Sequence, residues 1–399
     1  MSKKILFSPK DALNHRQQKT RRERMGILIT ALIIITAWSV GYFSRDTDTL
    51  EYALMVLPGA SEVQTRGSYY IGQDQEGKLV GYAAEGTGDG YGGPIRVMVG
   101  VDPAGELLSL MVIEERETPG FYRLVNSNNY LDQFLNRQIN EPFQLGTDLD
   151  GISGATLTSE GIASSVRESL QVIAREGLND PLPPEKKPIK FGLPEIFLVG
   201  LYAAGYLSGR FRNPKVKRGT RWVTLLTGMV VIGFIYTAPL TISQVIAFLS
   251  GYWPDWHNNL YWYLLIGGML LSTALDAKNP YCAYFCPFGA FQETLAQLTD
   301  AKLYRPKGWK DFLKWLPRVL TLGAIVIGLV LRQPGVVGYE PFATLFDLRG
   351  TGLEWALLVL TIFASLIFYR PFCNFICPID PTVDYIYAVR RWISDVRKK

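Results

Sequence analysis

The chain has 399 residues, of which 48% are hydrophobic and 19% are charged, and its net charge at pH 7 is +5. The apolar residues lie in long blocks, which excludes a single soluble domain, because about 18 or more apolar residues in a row can cross a bilayer core of roughly 30 Å. The positive charge is concentrated between these blocks, so no nucleic-acid partner is expected.

Six apolar blocks predict about six transmembrane helices, and therefore contact with membrane lipid. They run over 26–43, 192–209, 222–249, 260–275, 315–331 and 352–369, and the blocks at 260–275 and 315–331 are short or interrupted. The first block is long and uncharged, and no small-x-small cleavage site follows it. It therefore predicts an uncleaved anchor rather than a signal peptide.

The Lys and Arg residues predict the orientation. Segment 1–24 holds eight, and segments 210–221, 276–314 and 370–399 hold six each, whereas 250–259 has none and 332–351 has two. Cytoplasmic loops collect Lys and Arg, so both termini are expected on the cytoplasmic side of a bacterial inner membrane. The predicted organisation is a basic tail (1–24), an anchor helix (25–43), an extracytoplasmic or periplasmic domain (44–180), a Pro-rich linker (181–191) and a five-helix membrane domain (192–399).

The outer domain is predicted to be α+β. Segments 94–102 and 107–115 are strand-like and are joined by Pro-Ala-Gly, which suits a hairpin. The sequence ETPG at 117–120 predicts a type II turn. From Ser159 onward a helix is predicted, because apolar residues recur at helical spacing; they are Ile162, Val166, Leu170 and Ile173.

Segment 150–159, DGISGATLTS, holds more hydroxyl groups than one helix cap needs. Thr158 or Ser159 is expected to cap the helix that follows. A helix N-terminus also favours a phosphate, and Gly151 and Gly154 let the backbone approach a ligand closely. On chemistry alone the segment is either a cap with turn residues or a phosphate-binding loop.

The pattern D-x-x-S-G-A-T, formed by Asp150, Ser153, Gly154, Ala155 and Thr156, resembles the flavinylation motif of the FMN-binding domain family. That family includes the outer flavin subunits of the Rnf complex and of sodium-translocating NADH:quinone reductase. YGGPI at 91–95 and ETPG at 117–120 occur in the family's order. The resemblance implies that a flavin transferase joins FMN to Thr156 through a phosphoester, with Thr158 as the alternative acceptor.

The resemblance also implies which residues surround the flavin. They are Ser153, Gly154, Ala155, Leu157 and Thr158 in the attachment loop, Glu117 and Thr118 in ETPG, and Tyr91 and Gly92 in YGGPI. Members of the family often have ETPGLG where this chain has ETPGFY, so the wall near the flavin ring is expected to differ.

The four cysteines form two near-copies, NPYCAYFCPFGAF at 279–291 and RPFCNFICPIDPT at 370–382. Each follows an apolar block on the Lys/Arg-rich side, and such internal repeats often meet at a shared site. The i, i+4 spacing puts two sulfurs on one side of a helical turn, and the proline that follows bends the chain away. Cys282, Cys286, Cys373 and Cys377 are therefore candidate metal ligands.

Several chemistries fit four cysteines. Cytoplasmic thiols stay reduced, and four convergent thiolates suit an iron–sulfur cluster or zinc, while unliganded or regulatory thiols are the third alternative. The C-x₂-C-x₂-C part of a ferredoxin run is absent, which excludes a ferredoxin module. His15 and His257 lie outside the apolar blocks, which excludes a bis-histidine haem within the helices of this chain.

Paired C-x₃-C-P motifs on membrane helices, behind an outer FMN domain, resemble the NosR, NirI and PceC group of membrane flavoproteins. No further cysteine run precedes Lys399, as in the shorter PceC-like members. The resemblance implies an α-helical polytopic membrane protein with an extracytoplasmic FMN-binding domain between its first two membrane helices. It also favours an iron–sulfur cluster at the four cysteines.

The function implied is electron transfer between a cytoplasmic-side cluster or quinol pool and the outer FMN. The implied partners are a quinone or a redox subunit and an extracytoplasmic respiratory reductase. The alternatives are a membrane redox sensor or assembly factor, and a scaffold with structural zinc. The two expected centres lie on opposite sides of a roughly 30 Å core, so a quinone, a partner or a close approach of the FMN domain must bridge them.

Overall fold

The computed structural model of this chain describes residues 9–44, 49–117, 119–183, 189, 191–208, 210–276, 279–302, 308 and 310–397. These residues are mostly helical and contain one β-sheet. The strands are β1 (Glu62–Arg66), β2 (Tyr69–Gln73), β3 (Leu79–Asp89), β4 (Pro94–Val101) and β5 (Leu107–Glu114). The helices are α1 (Pro9–Phe43), α2 (Leu50–Met55), α3 (Pro119–Ser127), α4 (Thr156–Val172), α5 (Leu193–Ser208), α6 (Pro214–Thr227), α7 (Ile242–Leu249), α8 (Leu260–Asp276), α9 (Pro287–Leu298), α10 (Lys310–Leu331), α11 (Phe342–Phe346), α12 (Gly352–Ile367), α13 (Pro371–Phe375) and α14 (Ile379–Arg397).

The five strands form one antiparallel sheet in chain order. The hairpin predicted at 103–105 is present and joins β4 to β5. Helix α4 covers one face of the sheet. The four apolar residues predicted for its inner side are at most 1% exposed, and the last of them, Ile173, begins the π-helical turn that follows α4. The predicted α+β character of this region is therefore confirmed.

Glycines in β3 allow α4 to lie close to the sheet. A Cβ atom on Gly86 or Gly88 would overlap the backbone carbonyls of Ser165 and Gly161. Ser165 also donates a hydrogen bond from Oγ to the carbonyl of Ile95 in β4, at 2.8 Å. The position of α4, and with it the position of the loop before it, is therefore fixed by direct backbone packing.

Two local predictions in this domain are wrong. The helix begins at Thr156 rather than Ser159. The ETPG segment does not form a type II turn, because Pro119 begins α3 and Gly120 is helical. Proline suits the first position of a helix, since its φ is already fixed and its missing N–H is not needed there.

The helices outside the sheet domain pack around a second apolar core, which includes Phe285, Phe288 and Phe372. Within the described residues, two helices are long and apolar enough to cross a membrane, Thr20–Phe43 and Asp311–Leu331. Three other apolar helices, Leu193–Ser208, Leu260–Leu275 and Gly352–Ile367, are shorter. The six expected spans are therefore not confirmed as a set.

The longest apolar block, 222–249, does not form one helix. After α6 the helical path continues as a π-helix over Gly228–Ile235, and the chain then turns through Thr237, which has a φ of 47°. Pro239 lies in this turn and lacks the backbone N–H that a continuing helix would use. Helix α7 begins after the turn, with the side chain of Thr241 as its cap.

Candidate flavin and cysteine sites

The attachment loop presents one threonine at the start of α4. Thr156 is the first helical residue and its side chain is exposed. Gly154 has a φ of +78°, a conformation that L side chains rarely adopt. Ala155 takes the N-cap position and provides no side-chain cap, and the first turn has no acidic residue. The free N–H groups at this helix start are therefore suited to an anion.

The neighbouring hydroxyl groups differ from Thr156 in exposure. Thr158 and Ser159 are 1% and 0% exposed, so neither caps the helix as predicted, because α4 begins before them. Ser159 Oγ instead donates to the carbonyl of Ala155 at 3.0 Å and accepts from the N–H of Ile152 at 3.1 Å. Ser153 and Leu157 are exposed beside Thr156.

The other two family-like stretches meet behind this loop. Glu117 is 1% exposed and accepts a hydrogen bond from the N–H of Gly92 at 3.2 Å. Burial raises the pKa of Glu117 to about 7, although the hydrogen bond from the N–H of Gly92 opposes the shift. The Tyr91 ring meets Phe121 edge-on, with centroids 5.1 Å apart, and burial raises its pKa to about 12. Thr118, the remaining expected flavin contact, lies outside the described residues.

A cavity of about 220 Å³ opens in front of Thr156. One wall comes from the sheet domain and the other from loops that join the helices. The sheet-domain lining comprises Tyr91, Phe121 and residues 154–158, and the helical lining comprises Tyr236, Thr237, Pro239, Thr241, Ser243, Gly335, Gly338, Glu340, Phe342, Ala343, Asp347 and Glu354. A ligand in this cavity would contact both parts of the chain.

A buried acid lies on the helical side of the cavity. Glu340 is 7% exposed and accepts a hydrogen bond from the N–H of Ile242 at 2.6 Å. Burial raises its pKa to about 7. The sequence analysis did not single out this residue, because an isolated Glu in a loop carries no motif.

One carboxylate holds the two walls together. Asp89, at the end of β3, accepts from the Tyr252 hydroxyl at 2.9 Å and from the backbone N–H of Asp255 at 2.6 Å. It also accepts from the side-chain amide of Asn259 at 3.3 Å. Both oxygens of Asp89 are therefore bonded to the loop between α7 and α8. His257, in the same loop, pairs with Asp255 at 2.7 Å.

A single aromatic layer separates the cavity from both cysteine motifs. Phe342 lines the cavity, and its ring centroid lies 5.0 Å from that of Phe288 and 6.1 Å from that of Phe372. Phe288 follows Cys286 by two residues, and Phe372 directly precedes Cys373. The expected separation of the two centres by a full bilayer core is therefore not what this structure shows.

The two cysteine motifs are linked by reciprocal hydrogen bonds. Gln292, after the first motif, donates to the Cys373 sulfur at 3.3 Å and accepts from the N–H of Phe372 at 2.9 Å. Arg370, before the second motif, donates to the carbonyl of Cys282 at 3.3 Å. Asn279 donates to the Cys282 sulfur at 3.0 Å. Asn279 and Arg370 occupy the same place in the repeat, three residues before the first cysteine, which is the sequence signal that could have identified them.

A buried carboxylate fixes Arg370. Glu293, whose side chain is 4% exposed, forms ion pairs with Arg370 and with Arg221. Arg221 makes two bonds to this carboxylate, at 2.5 and 2.7 Å. Because Arg370 reaches the first motif from the second, this network holds the two repeats in register.

The four thiols face one region. Burial raises the pKa of Cys377 well above its ordinary value, and Cys373, Cys282 and Cys286 raise it further. The chain changes direction at the first motif, as predicted: Cys286 is extended, with a ψ of 118°, between the π-helix Tyr281–Phe285 and α9, which begins at Pro287. Within the described part of the chain, no group of three or more His, Cys, Asp or Glu side chains has the geometry to hold one metal ion.

Comparison with known families agrees with this division. Residues 90–171 match the FMN-binding domain family, and residues 258–306 and 351–397 match the 4Fe-4S binding domain family. The first match contains the attachment loop and the second contains all four cysteines. These matches support the FMN-binding domain and the iron–sulfur cluster that the resemblance implied.

Three relatives illustrate the similarity. One component of the ion-translocating oxidoreductase complex of Haemophilus influenzae is 36% identical over 109 residues, which cover 25% of this chain and 53% of the relative. The protein NirI of Paracoccus denitrificans is 25% identical over 46% of this chain and 29% of its own length. The regulatory protein NosR of Pseudomonas aeruginosa is 26% identical over 49% of this chain and 29% of its own length. The chain thus spans about half the length of the first relative and less of the other two, and its resemblance to NosR/NirI-like FMN membrane proteins is confirmed.

Proposed function

We propose that this chain is a membrane electron-transfer flavoprotein with FMN covalently joined to Thr156 and one iron–sulfur cluster on Cys282, Cys286, Cys373 and Cys377. These two groups supply the one- and two-electron chemistry that amino-acid side chains lack. The observation that carries the proposal is the shared cavity. Thr156 opens into it, and both cysteine motifs lie behind the Phe342 wall.

The attachment chemistry favours Thr156 over Thr158. Thr156 has an exposed hydroxyl beside free helix N–H groups, whereas Thr158 is 1% exposed. A flavin transferase would join Thr156 Oγ to the phosphorus of FMN taken from a flavin dinucleotide. The pyrophosphate bond of the donor would break and release a nucleoside monophosphate, the Thr156 proton would go to solvent, and the chain would gain the mass of FMN less one water. Ser153, Gly154, Ala155 and Leu157 would then border the phosphate, while Thr158, Glu117, Thr118, Tyr91 and Gly92 would surround the ring.

A polytopic arrangement in the bacterial inner membrane fits the surface of the helical part. Large apolar side chains are exposed on several helices, as a lipid-facing surface requires. Examples are Leu32 on α1, Leu271 on α8, Val319 on α10 and Phe363 on α12, each at least 61% exposed. With the Lys- and Arg-rich segments inside, both termini are cytoplasmic and the FMN domain (44–180) is extracytoplasmic.

The close approach of the FMN domain replaces the bridging quinone that a 30 Å gap would require. In this arrangement Asp89 holds the domain against the α7–α8 loop, and Phe342 excludes water between the cavity and the cysteines. A quinol or a partner redox subunit would supply electrons from the membrane or cytoplasmic side. An extracytoplasmic reductase would receive them.

The attachment site is tested by mass spectrometry of the full chain, coexpressed with a flavin transferase. The peptide that contains 150–160 is expected to gain FMN less one water. Thr156→Val is expected to abolish the gain, and Thr158→Val and Thr147→Val, the latter an exposed threonine of the same domain, are expected to retain it. An unmodified wild-type peptide, or a gain lost only in Thr158→Val, would contradict the assignment.

The cluster and the role are tested on the same protein. Iron and acid-labile sulfide are expected with wild type and not with Cys373→Ser, whereas zinc without iron would support the scaffold alternative. A quinol is expected to reduce the flavin rapidly and reversibly in the wild type. Slow reduction with no electron acceptor would favour the second candidate, a redox sensor or assembly factor, which one relative's description as a regulatory protein suggests.

A further inference from the structure

Arg349, in the loop between α11 and α12, contacts the attachment loop. The guanidinium of Arg349 occupies the space that a Cβ on Gly154 would need, so it lies on the backbone of the S-G-A-T segment. Gly154 is two residues before Thr156. No other residue type than glycine would admit this contact, because any side chain there would collide with the guanidinium.

One nitrogen of this guanidinium lacks a partner. Nη1 of Arg349 is inaccessible to solvent and has no hydrogen-bond partner among the described residues. Its Nε is occupied by Asp347, at 3.4 Å. The Arg349 side chain as a whole is 35% exposed, but this nitrogen is not, and a buried charged donor without an acceptor is costly. The nitrogen is therefore free to bind an acceptor that the described residues do not supply.

Two further features point to an anion at this place. Helix α4 begins at Thr156 without a side-chain cap and without an acidic residue in its first turn, so its free N–H groups are unneutralised. The cavity in front of Thr156 is lined by Gly154 and Asp347, both of which contact Arg349, while Arg349 itself is not one of its lining residues. Arginine recognises phosphate oxygens through its planar donors.

We propose that Arg349 binds the phosphate of the FMN carried by Thr156, and that the flavin site is therefore completed by the helical part of the chain. The inference rests on the proposed attachment at Thr156 and adds a positioning residue from outside the FMN-binding domain match. Arg349 Nη1 donates to a phosphate oxygen, while Asp347 keeps the guanidinium oriented. The loop itself is fixed, because the N–H of Asp347 donates to the carbonyl of Ala343 at 2.8 Å.

The test compares each variant with itself, with and without flavin. The full chain is produced with and without the transferase, its flavin content is read by intact mass, and its unfolding temperature is measured in the same detergent. Flavinylation is expected to raise the unfolding temperature of wild type. Arg349→Gln is expected to lose at least half of that rise and Arg349→Lys to retain most of it, while Arg66→Gln, which removes an exposed cation on β1, retains all of it.

Arg349→Gln also loses the ion pair with Asp347, and this loss lowers the unfolding temperature of the variant both with and without flavin. The difference between the two forms of one variant therefore does not include it. As a second readout, the ³¹P resonance of the phosphodiester is expected to shift in Arg349→Gln and not in Arg66→Gln. An equal thermal rise and an unshifted resonance in Arg349→Gln, or no rise in wild type, would overturn the inference while leaving attachment intact. A wild-type chain without added flavin mass would instead remove the proposed function, and this inference with it.

Discussion

Glu117→Gln is expected to change how the stability of the sheet domain depends on pH. Burial raises the pKa of this carboxyl from 4.5 to about 7 in the folded chain. The folded protein therefore keeps a proton that the unfolded chain has already released above pH 4.5. The contribution of this proton to stability is complete below pH 4.5 and is lost as the pH rises through 7.

The size of the effect follows from the shift. A difference of about 2.5 pH units, at roughly 1.36 kcal/mol per unit, corresponds to about 3 kcal/mol. Glutamine has the shape of the protonated acid and cannot ionise. The variant is therefore expected to lose this part of the pH dependence, with a stability near that of the wild type at low pH.

The measurement is hydrogen exchange by mass spectrometry on peptides from β4, at several pH values between 4.5 and 8. Opening free energies are corrected for the intrinsic exchange rate. Glu340→Gln is the matched control, because its buried acid has a similar pKa but bonds to Ile242 in the helical part. An unchanged slope between pH 5 and 7 in Glu117→Gln would refute the reasoning.

Three further outcomes are expected. Glu293→Gln leaves two partly buried cations, Arg370 and Arg221, without their carboxylate. Purified protein should contain less iron per chain, and full iron occupancy would contradict the role of this network. Gly88→Ala places a Cβ against a backbone carbonyl of α4 and should lower the free energy of unfolding of the sheet domain by about 1–3 kcal/mol in a urea titration. The control Gly120→Ala has open space around the new Cβ and should not lower it. Asp89→Ala removes three hydrogen bonds to the α7–α8 loop, so amides at 250–259 should exchange faster; unchanged protection would mean that the carboxylate does not hold the loop.

The sequence predicted those features that depend on local periodicity. The inner face of α4 and the β4–β5 hairpin follow from apolar spacing and turn residues, and the structure contains both. The start of α4 was misplaced by three residues, because hydroxyl-rich segments offer several possible caps and only the packing of Gly161 and Ser165 on β3 selects one. The repeat of the cysteine motif was visible, and so was the chance that both copies share a site.

Contacts between distant segments were beyond the sequence. Glu340, Arg349 and Asp89 carry no motif. Glu340 is placed by its bond to Ile242 within the helical part, whereas Arg349 and Asp89 are placed by contacts between the sheet domain and the loops between helices. The topological estimate of a full bilayer between the two centres failed for a related reason. Apolar length predicts where helices occur, but it does not show that Phe288 and Phe372 bring both motifs against Phe342.

Asp89 gives the FMN domain a third point of attachment. The domain is already joined to the helices by covalent chain at both of its ends, and two anchors alone would permit it to pivot about the line between them. A third point of attachment away from that line prevents the domain from rotating about it. A substitution in the α7–α8 loop that displaces Tyr252 or Asn259 would therefore change the orientation of the sheet domain. Thr156 would then face the helical wall of the cavity at a different angle.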